Sequence, residues 1–331
     1  MNNITLLQAF DLFIYDRSTY CENKTIINYK NTIRYFIEFL EESKGINRAA
    51  LLINDITVHD IKSYIVMLRD RKKLSTHILK PTVDGPVTNR TIRTYLIDIR
   101  TFFNYLCKEE LINSNIMDSI KIIKSEKKLL KPLLQTEVFQ IDSLFNLKCE
   151  SGIRNFCIVH LMLDCGLRSG DVLKLKVDDI NFNDNIIYID DGKGKKDRLV
   201  ILPGKLKINL YKYITIYRSV LSFSSGSVNF VFISVNGKLD PVTDNTIKSL
   251  FSRIRSKTGI VRLKPHLLRH TFATSFIIGG GNMEMLRLFL GHSSYSVTQD
   301  YLHVANFCQN AGVKIYKLDD VYFKNYSGYG Y

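Results

Sequence analysis

No apolar run in the chain approaches the roughly 18 residues that a membrane-spanning helix needs. The opening stretch, MNNITLLQAFDLFIYDRSTY, lacks the basic region and small-residue cleavage site of a secretory signal. Together these absences predict a cytoplasmic protein with no membrane partner. Six cysteines are present (Cys21, Cys107, Cys149, Cys157, Cys165 and Cys308), but no two have the close spacing of a zinc knuckle or redox pair. Reduced thiols, mostly buried in apolar helical patterns, are expected. Acidic side chains are scarce, at 32 against 46 Lys and Arg, which leaves a net charge of +14. A cationic chain without membrane features predicts a polyanionic partner, most often nucleic acid.

The 331 residues suffice for two domains, each with its own core. The stretch 1–120 reads as a helical bundle. NKTIINYKNTIRYFIEFLEE repeats Ile26, Tyr29, Ile33, Phe36, Ile37 and Leu40 at helical period. TVHDIKSYIVMLRDR opens on Thr57, a good N-cap, and repeats Ile61, Tyr64, Ile65 and Leu68. In TNRTIRTYLIDIRTFFNYLCKEE the stripe is Ile92, Leu96, Ile99, Phe103 and Leu106, with Arg93 and Arg100 on one face beside it. The intervening KLSTHILKPTVDGPV, with two prolines and a glycine, reads as a loop. Arg90, Arg93 and Arg100 are candidate DNA contacts; the ordinary alternative is a solvated basic face. Residues 121–134, KIIKSEKKLLKPLL, read as a basic linker.

From 135 to 331 the pattern is mixed. Thr136 is an expected helix cap, and GIRNFCIVHLMLDCG an apolar helix stopped by Gly166. NIIYIDDGKGKKDRLVILP reads as a β-hairpin about a Gly-Lys-Gly turn. NFVFISVNGKL reads as a short strand and turn, and TDNTIKSLFSRIRSKTG as a capped helix closed by Gly259. The fold class is therefore mainly α with a small antiparallel β-sheet.

Residues 265–304, PHLLRHTFATSFIIGGGNMEMLRLFLGHSSYSVTQDYLHV, hold four of the seven histidines. Pro265 suits a first helical turn, which places His266 and Arg269 on one helix face, able to hold a phosphate and handle protons. His266 and His270 have the spacing of a metal pair, but the Glu that follows the first His in zinc proteases is missing. His270 then reads as a hydrogen-bonded structural histidine. His292, after Gly291, reads singly as a helix C-terminal cap. Tyr301, with Ser296 as a nearby N-cap, reads singly as a packing residue.

Their company changes this. HLLRHTFAT, LGHSS and TQDYLHV, in this order, resemble the tyrosine recombinases, the phage-integrase and Xer-like family. DCGLRSGDVLKLKVDDI resembles that family's first arginine block, and DGKGKKDRLVILP its lysine hairpin. The likeness to the catalytic half covers residues from about 135 to about 305, and five ordered blocks make it specific. The N-terminal bundle resembles the family's SAM-like core-binding domain more weakly. The resemblance implies a C-shaped clamp on DNA. It also implies Arg168 and Arg269 as catalytic arginines, His266 and His292 as the catalytic histidine positions, Lys193 as hairpin lysine and Tyr301 as nucleophile. Asp171 matches a supporting acidic position where the family more often has Glu.

The chemistry implied is strand cleavage through a 3′-phosphotyrosine, then resealing by a second strand's 5′-hydroxyl, with no cofactor, neither ATP nor metal. Two guanidiniums suit the charge on the non-bridging oxygens. Lys193 suits protonation of the leaving oxygen, and His266 removal of the tyrosine proton. Lys195, Lys196 and Arg198 are further candidate DNA-gripping residues. The implied partners are double-stranded DNA with a specific core site, a homo-tetramer on paired sites, and a second recombinase or accessory protein. The implied location is the cytoplasm, on the nucleoid during reaction. The resemblance implies a tail after Tyr301 that docks on a neighbouring subunit, a frayed end being the alternative, and no arm-binding domain is expected ahead of the bundle. Integration or excision of a mobile element and resolution of replicon dimers both fit. So do type IB topoisomerase relaxation, a silent DNA-binding protein and, on the histidine cluster alone, a metal-dependent hydrolase.

Overall fold

The computed structural model describes residues 4–73, 83–123, 131–190, 197–218, 229–233, 241–292 and 294–323. The chain divides into two compact units, residues 1–128 and 129–331. Among the described residues no helix is long and apolar enough to cross a membrane.

The first unit packs four helices: α1 (Leu6–Ser18), α2 (Asn23–Lys44), α3 (Val58–Asp70) and α4 (Asn89–Lys108). Thr57 caps α3 as expected: its Oγ1 accepts from the Asp60 amide, and Asp60 accepts from the Thr57 amide at 2.7 Å. The predicted stripes of α2, α3 and α4 bury Ile33, Phe36, Leu40, Ile61, Tyr64, Leu68, Ile92, Leu96, Ile99 and Leu106 in one core. The expected loop between α3 and α4 has paired ends, β1 (Lys72–Lys73) antiparallel to β2 (Val83–Pro86).

Two of the candidate DNA contacts here, both half-buried, bond to their own chain. Arg93 Nη1 donates to Ile123 O at 3.1 Å, and Arg100 Nη2 donates to Met117 O at 2.9 Å and Ile120 O at 2.8 Å. These guanidiniums hold the chain that leaves α4, adding to the backbone bonds of its short 3-10 turn Ile116–Ser119, where Met117 O also accepts from the Ile120 amide. Arg90 is exposed.

The second unit is built around α6 (Glu150–Asp164) and α10 (Pro265–Ile278), each buried on nearly every side. Around them lie α5 (Gln135–Asp142), α7 (Ser169–Lys174), α8 (Gly204–Lys212) with one π-helical turn Tyr213–Arg218, α9 (Asp244–Thr258), α11 (Met283–Leu290) and α12 (Tyr295–Asn310). An antiparallel sheet of order β3 (Ile180–Asn181), β4 (Ile186–Ile189), β5 (Arg198–Ile201) matches the expected hairpin strands; the Gly-Lys-Gly turn lies outside the described residues. Gly166, at φ 66°, ends the turn after α6, and a Cβ there would meet the Phe272 ring at 2.6 Å.

Several boundaries differ from the sequence reading. α5 starts at Gln135, not after Thr136, because Glu137 accepts from the Leu134 amide at 2.9 Å and caps the helix two residues earlier. α12 starts at Tyr295 with Ser294 as N-cap, ahead of the expected Ser296. NFVFISVNGKL forms only isolated bridges, Lys176 with Phe230 and Ile233 with Pro241, among the described residues. Linker residue Leu133 is fully buried, and its amide donates to Thr271 Oγ1 at 2.9 Å.

The tail that follows α12 returns along its own unit. Ile315 bridges Leu134, and Tyr316 N donates to Leu133 O at 3.0 Å. Ser275 Oγ donates to Tyr316 O at 2.6 Å, and the Tyr316 hydroxyl donates to Asp164 at 2.8 Å. The buried Tyr322 hydroxyl donates to Asp164 O and, at 3.1 Å, to Ile201 O. Through Phe323 the tail lies against its own domain; 324–331, the rest of the tail expected to dock or fray, lie outside the described residues.

Candidate active site

The site gathers at the C-terminal end of α11. A helix ends with backbone carbonyls that have no partner within the helix and carry partial negative charge. Gly291, at φ 60°, turns the chain sharply there and leaves those carbonyls to face side chains from elsewhere. Leu290 O accepts from Arg269 Nη2 and, at 3.1 Å, from Arg168 Nη2; Gly291 O accepts from Arg168 Nη2 at 3.2 Å. Arg269 Nη1 also donates to Gly166 O at 2.7 Å. Two guanidiniums from α10 and the start of α7 are thus seated side by side on main-chain oxygens.

Arg269 is buried, and its pKa is pushed down to about 9, by burial first and then by the Arg168 charge beside it. Like charges held this close are poised to accept an anion between them.

His292 follows directly on Gly291. Its Nε2 lies 3.2 Å from Arg269 Nη2, and its Nδ1 lies 3.1 Å from Thr298 Oγ1 on α12. A guanidinium only donates, so Nε2 is the acceptor and Nδ1 carries the proton that Thr298 receives. Burial and then the charges of Arg269 and Arg168 push the His292 pKa down to about 4, so the ring is neutral at physiological pH.

Tyr301, one turn beyond Thr298 on α12, is 5% exposed. Its ring stacks on His292 with centroids 6.1 Å apart and 11° between planes, and meets the His270 ring at 5.0 Å. His270 is buried, which agrees with a structural histidine. His266 is exposed and close enough for its charge to act on His292. Asp171 Oδ2 accepts from the Arg168 amide at 2.8 Å and from Arg198 Nη2 at 2.5 Å.

The structure thus brings together Arg168, Asp171, Arg269, His292 and Tyr301, with His266 at the margin. Lys193, Lys195 and Lys196 lie outside the described residues. Arg198 is corrected as a DNA-gripping residue: it is 7% exposed, and its Nε donates to Phe289 O at 3.0 Å. Among the described residues no three His, Cys, Asp or Glu side chains converge as metal ligands would.

Sequence reasoning missed Thr298, which orients His292, and the carbonyls of Gly166, Leu290 and Gly291. Thr298 had a faint signal, being one turn before Tyr301 on the same helix. Main-chain acceptors had none.

Residues 135–306 match the model of the phage integrase family, and residues 5–122 match that of the phage integrase SAM-like domain. A tyrosine recombinase of Pseudothermotoga lettingae is 29% identical over 283 residues, covering 85% of this chain and 88% of its own. Tyrosine recombinase XerC of Bacillus subtilis is 25% identical over 286 residues, covering 84% and 93%. Among solved structures, the Tn1549 transposon integrase with circular intermediate DNA aligns at TM-score 0.68 and 16% identity, over 94% of this chain and all of that one (100%). XerH site-specific recombinase bound to its palindromic difH substrate aligns at TM-score 0.66 and 20% identity, over 93% and 95%. These structures share the fold.

Proposed function

We propose, from the premise that this chain belongs to the phage integrase family and is a tyrosine site-specific recombinase, that Tyr301 is its nucleophile and that Arg168 and Arg269 hold the scissile phosphate. The observation that carries this reading is the convergence of Arg168, Arg269, His292 and Tyr301, from separate elements, on the end of one helix.

Catalysis follows from what each group offers. Each guanidinium carries five N–H groups in a fixed fork, and Leu290 O, Gly291 O, Gly166 O and His292 Nε2 hold the pair in place. A phosphate oxygen that enters beside them receives preoriented donors, and its charge relieves their mutual repulsion. The gain grows in the transition state, as charge builds on the non-bridging oxygens. Tyr301 attacks phosphorus through its phenolic oxygen and expels the 5′-oxygen, leaving a 3′-phosphotyrosine. Free tyrosine has a pKa near ~10, so its proton needs an acceptor, and exposed His266 supplies one. Neutral His292 donates to the phosphate only through the other tautomer, with the proton moved to Nε2 and Nδ1 accepting from the Thr298 hydroxyl, a switch open to it once the Arg269 N–H turns to the phosphate. Lys193, between Gly192 and Gly194, protonates the leaving oxygen. Asp171 holds the Arg168 backbone. Attack by the other strand's 5′-hydroxyl reverses these steps and releases Tyr301.

The partner is double-stranded DNA with a specific core site, bound by a homo-tetramer on paired sites, with a second recombinase or accessory protein as a further component. Exposed Arg90, with Lys195 and Lys196, grips phosphates. Integration or excision of a mobile element, or resolution of replicon dimers, is the biological setting.

Covalent trapping tests this. The protein is incubated with nicked fragments of source DNA, so that a short 5′-hydroxyl piece diffuses away after cleavage. Adducts are then recovered, sequenced and mapped by mass spectrometry. The expected outcome is an adduct on Tyr301 with one shared end sequence, absent from Tyr301→Phe. Adducts on Tyr301 without a shared sequence would favour a type IB relaxing activity, and adducts surviving in Tyr301→Phe would remove Tyr301 from the role.

A further inference from the structure

Arg198 opens β5, where strand alternation sends Arg198 and Val200 inward and Leu199 to solvent. A guanidinium on the buried face of a strand needs fixed acceptors, because a buried charge without compensation is strongly disfavoured. Its Nη2 donates to Asp171 Oδ2 at 2.5 Å, and its Nε donates to Phe289 O at 3.0 Å. The same Asp171 oxygen accepts from the Arg168 amide at 2.8 Å. Phe289 O is the first of three successive carbonyls at the end of α11; the next two, of Leu290 and Gly291, seat Arg168 and Arg269. One side chain therefore touches both the anchor of the Arg168 backbone and the helix end that seats the two guanidiniums and leads into His292.

We propose that Arg198 is a positioning residue for the cleavage step. It locks the Arg168–Asp171 turn to the end of α11 and so fixes the spacing between the two guanidiniums and His292. The inference rests on the assignment of Arg168 and Arg269 as the phosphate clamp. Arg198 exercises this role through protein contacts rather than through DNA. A neutral side chain at this position leaves the Asp171 carboxylate and Phe289 O each short of a donor. The junction then relaxes, and a misplacement of about 1 Å at a reacting centre costs on the order of 100-fold in rate.

The test compares wild type, Arg198→Met, Arg198→Lys and Tyr301→Phe on the DNA site recovered by adduct sequencing. Single-turnover adduct formation is measured at saturating DNA, with an ordinary scissile phosphate and with a methylphosphonate in its place. The methylphosphonate lacks one anionic oxygen, so its reaction leans less on a guanidinium clamp. Arg198→Met is expected to bind DNA within about twofold of wild type, with an unchanged dependence on salt. Its adduct formation is expected to fall by roughly 30-fold or more on the phosphate, but by less than about threefold on the methylphosphonate. Arg198→Lys is expected to recover part of the loss, since it keeps the charge but not the two-pronged geometry. Weaker binding with a shallower salt dependence would overturn the proposal in favour of a phosphate contact. Equal losses on both substrates would overturn it in favour of a general effect on the fold, and unchanged adduct formation would overturn it outright. A wild-type chain that forms no adduct on Tyr301 would instead remove the clamp assignment, and this inference with it.

Discussion

At the scale of single residues, the site shows how position sets the job of a side chain more than its type does. His292 and His266 are both histidines near two arginines, yet only His292 is held between Arg269 and Thr298. Its depressed pKa predicts that the ring stays neutral until about pH 4, which an NMR titration of labelled histidine checks. A change of rate between about pH 6 and 7 would then belong to another group. The basic residues divide in the same way. Arg100→Ala is expected to destabilise the first unit by roughly 1–3 kcal/mol, by removing the side-chain donor of Ile120 O and one of the two donors of Met117 O. Denaturant unfolding of the chain measures this. Lys195→Ala and Lys196→Ala are expected to leave stability unchanged, weaken DNA binding, and each lower the salt slope by about one.

At the scale of elements, a buried ion cluster ties the second unit together. His160 on α6 donates through both ring nitrogens, to Asp142 on α5 at 2.8 Å and to Asp164 on its own helix at 2.7 Å. Phe156 stacks on the ring, Lys205 lies 3.3 Å from Asp142, and the tail's Tyr316 donates to Asp164. Burial alone would lower the His160 pKa, but the two carboxylates outweigh it and raise the pKa to about 9 from an ordinary 6.5. A raised folded-state pKa means that the cluster's contribution is fully present below 6.5 and is lost as pH rises through about 9. The melting temperature is therefore expected to fall on alkalinisation, and His160→Gln is expected to flatten that fall while lowering stability at neutral pH. A melting series of both proteins from about pH 6 to 10 reads the difference.

At the scale of the whole molecule, the sequence carried much of the architecture, and the reason is periodicity. Ile92, Leu96, Ile99 and Leu106 repeat on one side of a helix with a wet opposite face, so both the helix and its core were legible. Arg168, Arg269, His292 and Tyr301 were legible as a set because ordered blocks resemble a family, not because any one of them stands out. What was illegible depends on contacts across the chain. Arg100 meets carbonyls 17 and 20 residues on. Arg198 meets Asp171 and Phe289, 27 and 91 residues away. The boundaries that slipped, at Thr136 and Ser296, did so by a residue or two, where capping side chains compete.

The strapping of the tail bears on who cuts whose DNA. α12 is moored ahead of Tyr301 by the His292–Thr298 contact and behind it by Leu133, Ser275 and Asp164, which hold the chain at Ile315, Tyr316 and Tyr322. A span moored at both ends has no slack to lend its middle to a neighbour. Tyr301 is therefore expected to attack the phosphate clamped by its own protomer. Mixing Tyr301→Phe with Arg269→Ala checks this, because a nucleophile shared between protomers would restore cleavage, whereas self-contained protomers leave the mixture silent. The same moorings take up strain once the tyrosine is bonded to DNA, so torque in the cut duplex is resisted by the body of the domain rather than by one helix.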